Sequence, residues 1–416
     1  MKTCSVLVAA MGVCLLSLPS VSADEPSAFG SGFDVQEFYK PFTLDDITPA
    51  NMQKWPYYKY VSTHWDEYSL HGTRKIKRSN QPTKLTVAEG DQRFDLNQQW
   101  KEGESYIDAF LDSQVKGFVV MKDNQILAEF YDNGFMVDQT QLLQSSSKTL
   151  AGVITNRLIN DGLLDPNAKV QQYMKDFEGT DIGGVTIQHV LDMTSGLPTL
   201  LDYHTAGASG QLWEIEIGLQ PGKSKGHRDN LKAAKAQAKQ GDEYNYSDKN
   251  TDVLGLLAEQ VSGKKYGQLL SELFDAFGAN SDGSIALTSD GTGSANYGVS
   301  ITARDYALFH QWIARRQASK CFYDSALDTS KTRFGENKSG QLLSGDDTIT
   351  YGSQSYFLGE YDVLYSSGSY GQFGFSDMKT GVSVVFMHDW AVNAEPDKLI
   401  ACRARALEII KTLRSN

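Results

Sequence analysis

The sequence predicts an α/β fold in which both ends of the chain contribute strands and a mostly helical segment lies between them. Residues 117–131 and 374–389 each show the pattern of two strands joined by a turn. The order strand, helical middle, strand and final helix favours an α/β architecture with an all-helical insertion. We therefore assign the α/β part to residues 24–140 and 291–416, and the helical part to residues 141–290.

The individual elements follow from local patterns. In GFVVMKDNQILAEFY, two β-branched and alternating stretches flank a turn at Lys122-Asp123-Asn124, which predicts a hairpin. A helix is predicted from Ser147 to near Gly162, because apolar residues recur there at the 3.6-residue spacing. The last helix is predicted over residues 396–413.

The first residues have the pattern of a secretory signal peptide. Lys2 precedes an apolar run over residues 6–19, and Val21-Ser22-Ala23 forms a small-residue cleavage site. These features predict a signal peptide over residues 1–23 and a mature chain that is secreted, to the periplasm or the extracellular space. No later stretch has the roughly 18 apolar residues that span a bilayer, so no stable membrane insertion is expected.

Composition limits the partners. The 39 Lys and Arg residues against 51 Asp and Glu residues give a net charge of −12, whereas nucleic-acid-binding proteins carry clustered positive charge. Nucleic acid is therefore an unsuitable ligand. Roughly 390 mature residues without a Pro-, Ser- or charge-rich linker predict one globule of two interleaved domains. The sequence demands no cofactor.

Two cysteines, Cys321 and Cys402, remain after removal of the signal peptide. Each lies near a predicted helix, and in an oxidising compartment the two can form a disulfide. Two unpaired thiols are the alternative, because a sequence does not give the distance between Cα atoms. Two cysteines alone do not form a zinc site, and no metal site is predicted.

The pattern Ser-x-x-Lys occurs four times, beginning at Ser113, Ser145, Ser262 and Ser376. A serine nucleophile and its lysine must share one face about one turn apart, with the lysine partly desolvated. Only Ser145 opens a long apolar helix, which buries Lys148 and points backbone N–H groups at a developing oxyanion. On spacing alone, an N-cap serine beside a solvated lysine fits equally well.

A serine–lysine centre needs a third group that relays the proton to the leaving atom. Tyr246, in GDEYNYSDKNTDVLG, lies directly before a predicted helix. A tyrosine can serve if a neighbouring ammonium lowers its pKa. The alternative interpretation is a half-buried aromatic side chain at the end of a loop.

These motifs, in this order, resemble the serine hydrolases of the β-lactamase and penicillin-binding-protein fold. The match lies in the class C β-lactamase-like branch, which includes esterases, D-amino-acid peptidases and 6-aminohexanoate-oligomer hydrolases, and it runs from about Gly117 to the C-terminus. Its fold implies an antiparallel sheet flanked by helices, with an inserted all-helical domain. Tyr246-Ser247-Asp248 falls at the Y-x-N motif, with Asp248 in place of the family's Asn.

The third family motif is K-T-G-S-x-G-x-F, which the stretch Ser366 to Phe373 resembles in its glycine spacing. The resemblance implies that Ser369 supplies the second oxyanion N–H, beside that of Ser145. Ser366 and Gly368 are assigned to substrate binding. Because Ser366 replaces the Lys or His that relatives place near the substrate carboxylate, efficient penicillin recognition is not expected.

Within this branch the 6-aminohexanoate-oligomer hydrolases look nearest, from NTDVLG and the G-x-x-G-Q pattern of Gly368 to Gln372. Tyr203, preceded by Asp202, resembles the Asp-Tyr pair of their substrate loop. Tyr203 and Asp248 are therefore also assigned to substrate binding, although an exposed loop aromatic is the alternative for Tyr203.

Together with the predicted signal peptide, the resemblance implies that residues 24–416 form an exported serine hydrolase acting on a small-molecule amide or ester. Ser145 would form the acyl-enzyme, and Lys148 and Tyr246 would share the base and acid roles. A D,D-peptidase or β-lactamase is the enzymatic alternative, and a non-catalytic binding or sensor module on the same fold is the alternative from another class. The oligomeric state is left open.

Overall fold

The computed structural model describes residues 35–200, 202–331, 349–393 and 396–415, and the predicted signal peptide at 1–23 lies outside them. Its strands are β1 (Thr73–Ile76), β2 (Thr86–Val87), β3 (Gln99–Lys101), β4 (Glu104–Ser105), β5 (Val115–Lys122), β6 (Gln125–Tyr131), β7 (Thr140–Leu142), β8 (Gly283–Ala286), β9 (Val299–Thr302), β10 (Thr350–Gly352), β11 (Ser355–Leu358), β12 (Val363–Gly368), β13 (Gln372–Asp377) and β14 (Ser383–His388). Its α-helices are α1 (Val35–Tyr39), α2 (Tyr57–Val61), α3 (Trp65–Tyr68), α4 (Tyr106–Asp112), α5 (Ser147–Asn160), α6 (Val170–Tyr173), α7 (Ile187–Leu191), α8 (Ser209–Glu216), α9 (His227–Lys232), α10 (Asp248–Ser262), α11 (Tyr266–Phe277), α12 (Ala303–Ala314), α13 (Lys320–Ala326) and α14 (Pro396–Ser415).

Eight strands form the main sheet, in the order β10–β11–β12–β13–β14–β5–β6–β2. Neighbouring strands are antiparallel except β2 and β6, which are parallel. Strands β5 and β14 come from opposite ends of the chain and pair within this sheet, with Val120 opposite Val384. The predicted antiparallel sheet built from both ends of the chain is therefore confirmed.

The elements that the sequence predicted are present. Strands β5 and β6 form the first hairpin, and its turn residues Asp123 and Asn124 both have positive φ, as a tight two-residue hairpin turn requires. Strands β13 and β14 form the second hairpin. Helices α5 and α14 match the two predicted helices. None of the helices in the described ranges is long and apolar enough to cross a membrane.

Helices pack on both faces of the main sheet. Alternate residues of a strand point to opposite faces, so one strand contributes side chains to two buried clusters. Val385 of β14 belongs to a cluster of buried side chains with Leu150 of α5 and Phe309 of α12. Its neighbour Val384 belongs to a second cluster, with Phe110 of α4 and residues of α14. Ser145, just before α5, therefore lies on the α5 and α12 side of the sheet.

A smaller antiparallel sheet of order β1–β8–β9–β7 supports the start of α5. Strand β7 leads into the turn that carries Ser145, and the Leu143 N–H donates to the Val299 carbonyl over 2.8 Å. Strand β8 lies within residues 141–290, which the sequence predicted to be mostly helical. The division of the chain into two parts stays a prediction.

The candidate disulfide between Cys321 and Cys402 is not formed, and both thiols are free. Cys402 is fully buried in α14, in the cluster on one face of the sheet. Cys321 is the second residue of α13, whose apolar residues belong to the cluster on the other face. The sheet therefore lies between α13 and α14. The disulfide required these two helices to lie side by side, and they do not.

Candidate active site

Ser145 lies in a 3₁₀ turn, Gln144–Ser146, that runs directly into α5. Its side chain is partly exposed, whereas the residues on either side are buried. The neighbouring Ser146 hydroxyl donates to the carbonyl oxygen of Gln372 over 2.8 Å, which ties the turn to β13. The turn therefore holds one serine hydroxyl within reach of solvent at the N-terminus of a buried helix.

Lys148 lies one turn after Ser145, with a side chain that is only 2% exposed. Its Nζ is 3.0 Å from Ser145 Oγ and 2.9 Å from the carbonyl oxygen of Asn296. A third contact, of 2.7 Å, joins Nζ to Oδ1 of Asp248. Three acceptors match the three N–H donors of an ammonium group. The structure thus brings the predicted nucleophile and lysine together, and the lysine here donates to the serine.

Tyr246 lies two residues before α10, and its ring centroid is 5.0 Å from Lys148 Nζ. Burial raises the pKa of Tyr246 well above its ordinary value and the Asp248 carboxylate adds to this, while a hydrogen bond with Ser145 opposes it. The condition set for the role of Tyr246, a pKa lowered by the neighbouring ammonium, is therefore not met. The ammonium is paired with Asp248, whose negative charge also acts on Tyr246, so the phenol is neutral.

Asp248 opens α10 and is 6% exposed. Its Oδ1 contacts Lys148, and its Oδ2 accepts a hydrogen bond of 3.3 Å from the Tyr203 hydroxyl. The structure therefore places Tyr203 and Asp248, two of the four predicted substrate-binding residues, beside the Ser145–Lys148 pair. The Asp248 carboxylate, where the family motif has Asn, forms an ion pair with Lys148 and complements the positive end of the α10 dipole.

Strand β12 ends at Gly368, which packs against the turn that carries Ser145. A Cβ atom on Gly368 would lie 2.2 Å from the carbonyl oxygen of Leu143 and 3.1 Å from the Ser146 nitrogen. Only glycine permits this close approach. Gly368 therefore packs against the turn that carries Ser145 and does not face open space. Ser369 follows and is partly exposed. Its backbone thus lies near the Ser145 turn, where a second oxyanion donor is needed.

Ser366 does not reach the open side of the site. It is 1% exposed, and its hydroxyl contacts the Tyr306 hydroxyl and lies 3.0 Å from His310 Nε2. Burial lowers the pKa of His310 to about 3, so the imidazole is neutral. These contacts correct the predicted substrate contact of Ser366, whose side chain is held inside the protein by α12. Neither residue supplies the positive charge that the family motif implies at this position.

The groups that hold Lys148 through Asn296 were not predicted from the sequence. The Asn296 carbonyl accepts from Lys148, and the Asn296 side-chain amide donates to Asp252. Asp252 also accepts from Trp213 Nε1 over 2.9 Å and lies 3.1 Å from His227 Nε2. Asp252 was detectable, because it follows Asp248 by four residues on one face of α10. A backbone carbonyl such as that of Asn296 has no signature in the sequence.

Glu214, in α8, is a buried acid close enough to Asp248 to sense its charge. Burial raises the pKa of Glu214 from 4.5 to about 7; a hydrogen bond from Gln220 opposes this, and the Asp248 charge adds to it. Glu214 is only 8% exposed. Glu214 therefore takes up a proton in the folded state at a pH where the unfolded chain has released it.

We expect Glu214→Gln to change how stability depends on pH. With a folded pKa above the unfolded one, the wild type loses stability as pH rises from about 4.5 to about 7, by up to about 3 kcal/mol. The substituted amide does not titrate. The difference in free energy of unfolding, variant minus wild type, should therefore become more positive by about 2 to 3 kcal/mol from pH 5 to pH 8. Urea unfolding at both pH values measures this. Parallel pH profiles would contradict it, and Glu178→Gln, at an exposed site, is the control.

Comparison with known proteins gives a family match, a curated relative and solved structures of similar fold. The family model described as Beta-lactamase matches residues 117–407. A 6-aminohexanoate-dimer hydrolase of Paenarthrobacter ureafaciens is 33% identical over 193 residues, which are 46% of this chain and 49% of that protein. The alignment thus spans about half the length of this curated relative.

Two solved structures share the fold. A protein from Bacillus anthracis, provisionally named a 6-aminohexanoate-dimer hydrolase, has a TM-score of 0.76 at 20% identity and covers 90% of this chain and 98% of its own. EstCE1, a hydrolase with promiscuous acyltransferase activity, has a TM-score of 0.57 at 16% identity, with coverages of 73% and 95%. At these identities the likeness concerns the fold, and it confirms the fold class that the sequence predicted.

Proposed function

Because this chain belongs to the beta-lactamase family, as its motifs predicted, we propose that it is a serine hydrolase of small amides or esters that works through an acyl-enzyme on Ser145. The observation that carries the proposal is the buried Lys148 Nζ, 3.0 Å from Ser145 Oγ. A nucleophile within hydrogen-bond distance of a desolvated amine is the arrangement that covalent catalysis requires. The 6-aminohexanoate-dimer hydrolase among its relatives makes linear amides the first substrates to test.

The proposed reaction uses each group of the centre. Ser145 Oγ attacks the carbonyl carbon, and its proton passes to Lys148 directly, or through Tyr246, whose neutral phenol gives its own proton to Lys148 as it accepts that of Ser145. Lys148 can first become neutral by giving a proton to Asp248, whose Oδ1 is 2.7 Å away. The N–H groups of Ser145 and Ser369 stabilise the oxyanion. The bond to the leaving nitrogen or oxygen then breaks, the leaving atom takes the proton, and water hydrolyses the acyl-enzyme.

A D,D-peptidase or β-lactamase is the enzymatic alternative. Relatives with those activities resemble this chain but have Lys or His where it has Ser366. Here Ser366 is buried and His310 behind it is neutral, so these two residues offer no positive charge to a substrate carboxylate. Without that positive charge, substrates that are uncharged, or that carry a charge other than a carboxylate, are favoured over penicillins.

Mass spectrometry after treatment with a fluorophosphonate probe tests the proposal, followed by turnover of p-nitrophenyl acetate, the linear 6-aminohexanoate dimer and nitrocefin. We expect one adduct, on Ser145, with ester or linear-amide turnover and slow nitrocefin hydrolysis. Rapid nitrocefin hydrolysis would instead favour the β-lactamase alternative. A stable adduct without any turnover would favour the binding or sensor module, and absence of an adduct would contradict a serine nucleophile.

We also propose that the protein is exported, on the pattern of a signal peptide over residues 1–23. The mass of the purified protein provides the test. A mature chain that begins at Asp24 supports export and the proposed cleavage site, whereas a chain that retains residues 1–23 contradicts them.

A further inference from the structure

Two residues beside the proposed oxyanion donors have an unusual backbone. Gln144, directly before Ser145, has φ of 52°, and Tyr370, directly after Ser369, has φ of 61°. Residues other than glycine rarely adopt this left-handed region. Such strain persists only where surrounding contacts enforce it, and it is concentrated at functional sites. The contacts that hold Gln144 and Tyr370 therefore bear on the geometry of both donors.

One side chain, Tyr58 of α2, contacts both strained residues. The side-chain amide of Gln144 donates to the Tyr58 hydroxyl over 2.7 Å. The Tyr58 and Tyr370 rings stack with centroids 3.9 Å apart and an angle of 29° between planes. All three side chains are buried, at 4% exposed for Tyr58, 5% for Gln144 and 8% for Tyr370. Tyr58 therefore joins the Ser145 turn to the loop after β12 through a desolvated hydrogen bond and a ring contact.

A second contact from the same part of the chain fixes the far end of Tyr370. Its hydroxyl donates to the backbone carbonyl of Gln53 over 3.0 Å. Gln53 and Tyr58 both precede residue 117, where the match to the family model begins. The segment from Gln53 to Tyr58 thus reaches both sides of the proposed oxyanion hole from outside the matched region.

We infer that Tyr58 is a positioning residue for hydrolysis, which sets the distance between the Ser145 and Ser369 N–H groups by holding Gln144 and Tyr370 in their left-handed conformations. The inference rests on the proposed function, since it assigns these two N–H groups to the oxyanion. It predicts that the contribution of Tyr58 is felt in the transition state, where the oxyanion forms, and much less in substrate binding.

Kinetics of Tyr58→Phe on p-nitrophenyl acetate test the inference, because phenylalanine keeps the ring and removes only the acceptor for Gln144. One lost buried hydrogen bond is worth roughly a factor of ten. We expect kcat to fall about tenfold with KM changed less than about twofold. The affinity for phenylboronic acid, whose boronate oxygen occupies the oxyanion position, should fall in parallel with kcat. Tyr57→Phe, in the same helix, should leave all three quantities unchanged.

A double-mutant cycle makes the test specific. Gln144→Met removes the donor from the other side, so the double variant Tyr58→Phe/Gln144→Met should lose no more activity than either single variant. Unchanged kcat and boronate affinity in Tyr58→Phe would overturn the inference, as would additive losses in the cycle. If wild type itself shows neither Ser145 adduct nor turnover, the proposed function fails instead, and the role of Tyr58 fails with it.

Discussion

Ser145→Ala should lower kcat on p-nitrophenyl acetate by about 1,000-fold or more, because no other hydroxyl in the described site can form the acyl-enzyme. The Ser146 hydroxyl is buried and donates to the Gln372 carbonyl, so it is not free to replace Ser145. The fold should be unaffected, since the Ser145 side chain is partly exposed. Kinetics and the fluorophosphonate adduct are measured together, and both should be lost.

The control for this variant is Ser262→Ala, which alters another Ser-x-x-Lys pattern. The Ser262 hydroxyl donates to the Ala258 carbonyl at the end of α10, away from the site. Turnover of Ser262→Ala should equal that of wild type. Full turnover by Ser145→Ala would show that the nucleophile is a different residue.

Lys148→Met should lower kcat about as much as Ser145→Ala does, and it should also destabilise the fold. The substitution leaves the Asp248 carboxylate, which is 6% exposed, without its ammonium partner, and breaking a buried ion pair in this way costs about 3 to 5 kcal/mol. The Tyr203 hydroxyl still donates to Asp248, which places the expected loss at the lower end. Urea unfolding at pH 7 measures the stability, and ester hydrolysis measures the activity.

The double variant Lys148→Met/Asp248→Asn separates these two effects. An uncharged pair of similar volume removes the unpaired carboxylate, so most of the lost stability should return. Turnover should not return, because no amine remains beside Ser145. If Lys148→Met kept wild-type stability, the buried pair would not be the stabilising contact that the structure indicates; if the double variant recovered turnover, Lys148 would not be the base.

The parts of the molecule that the sequence predicted are those with strong local patterns. The β5–β6 hairpin has two turn residues suited to positive φ, and α5 has a long apolar period. Strands such as β1 and β8, of four residues each, depend on pairing with distant partners and have no local signal.

Within the site, residue types and spacing identified Ser145, Lys148 and Tyr246, and the structure brings these three together. The direction of the Tyr246 pKa shift could not be predicted, because it depends on burial and on the Asp248 carboxylate. The inward orientation of Ser366 depends on α12, which packs behind it. Such contacts join residues far apart in the chain, so they become visible only in three dimensions.

The pairing of β5 with β14 bears on the order in which the protein can be made. Strand β14 ends at His388, so β5 lacks this partner until residue 388 has left the ribosome. Contacts this distant in sequence form slowly, and until then the edges of β5 and β13 stay open to other chains. Chains that stop short of β14 are therefore expected to aggregate through these open edges.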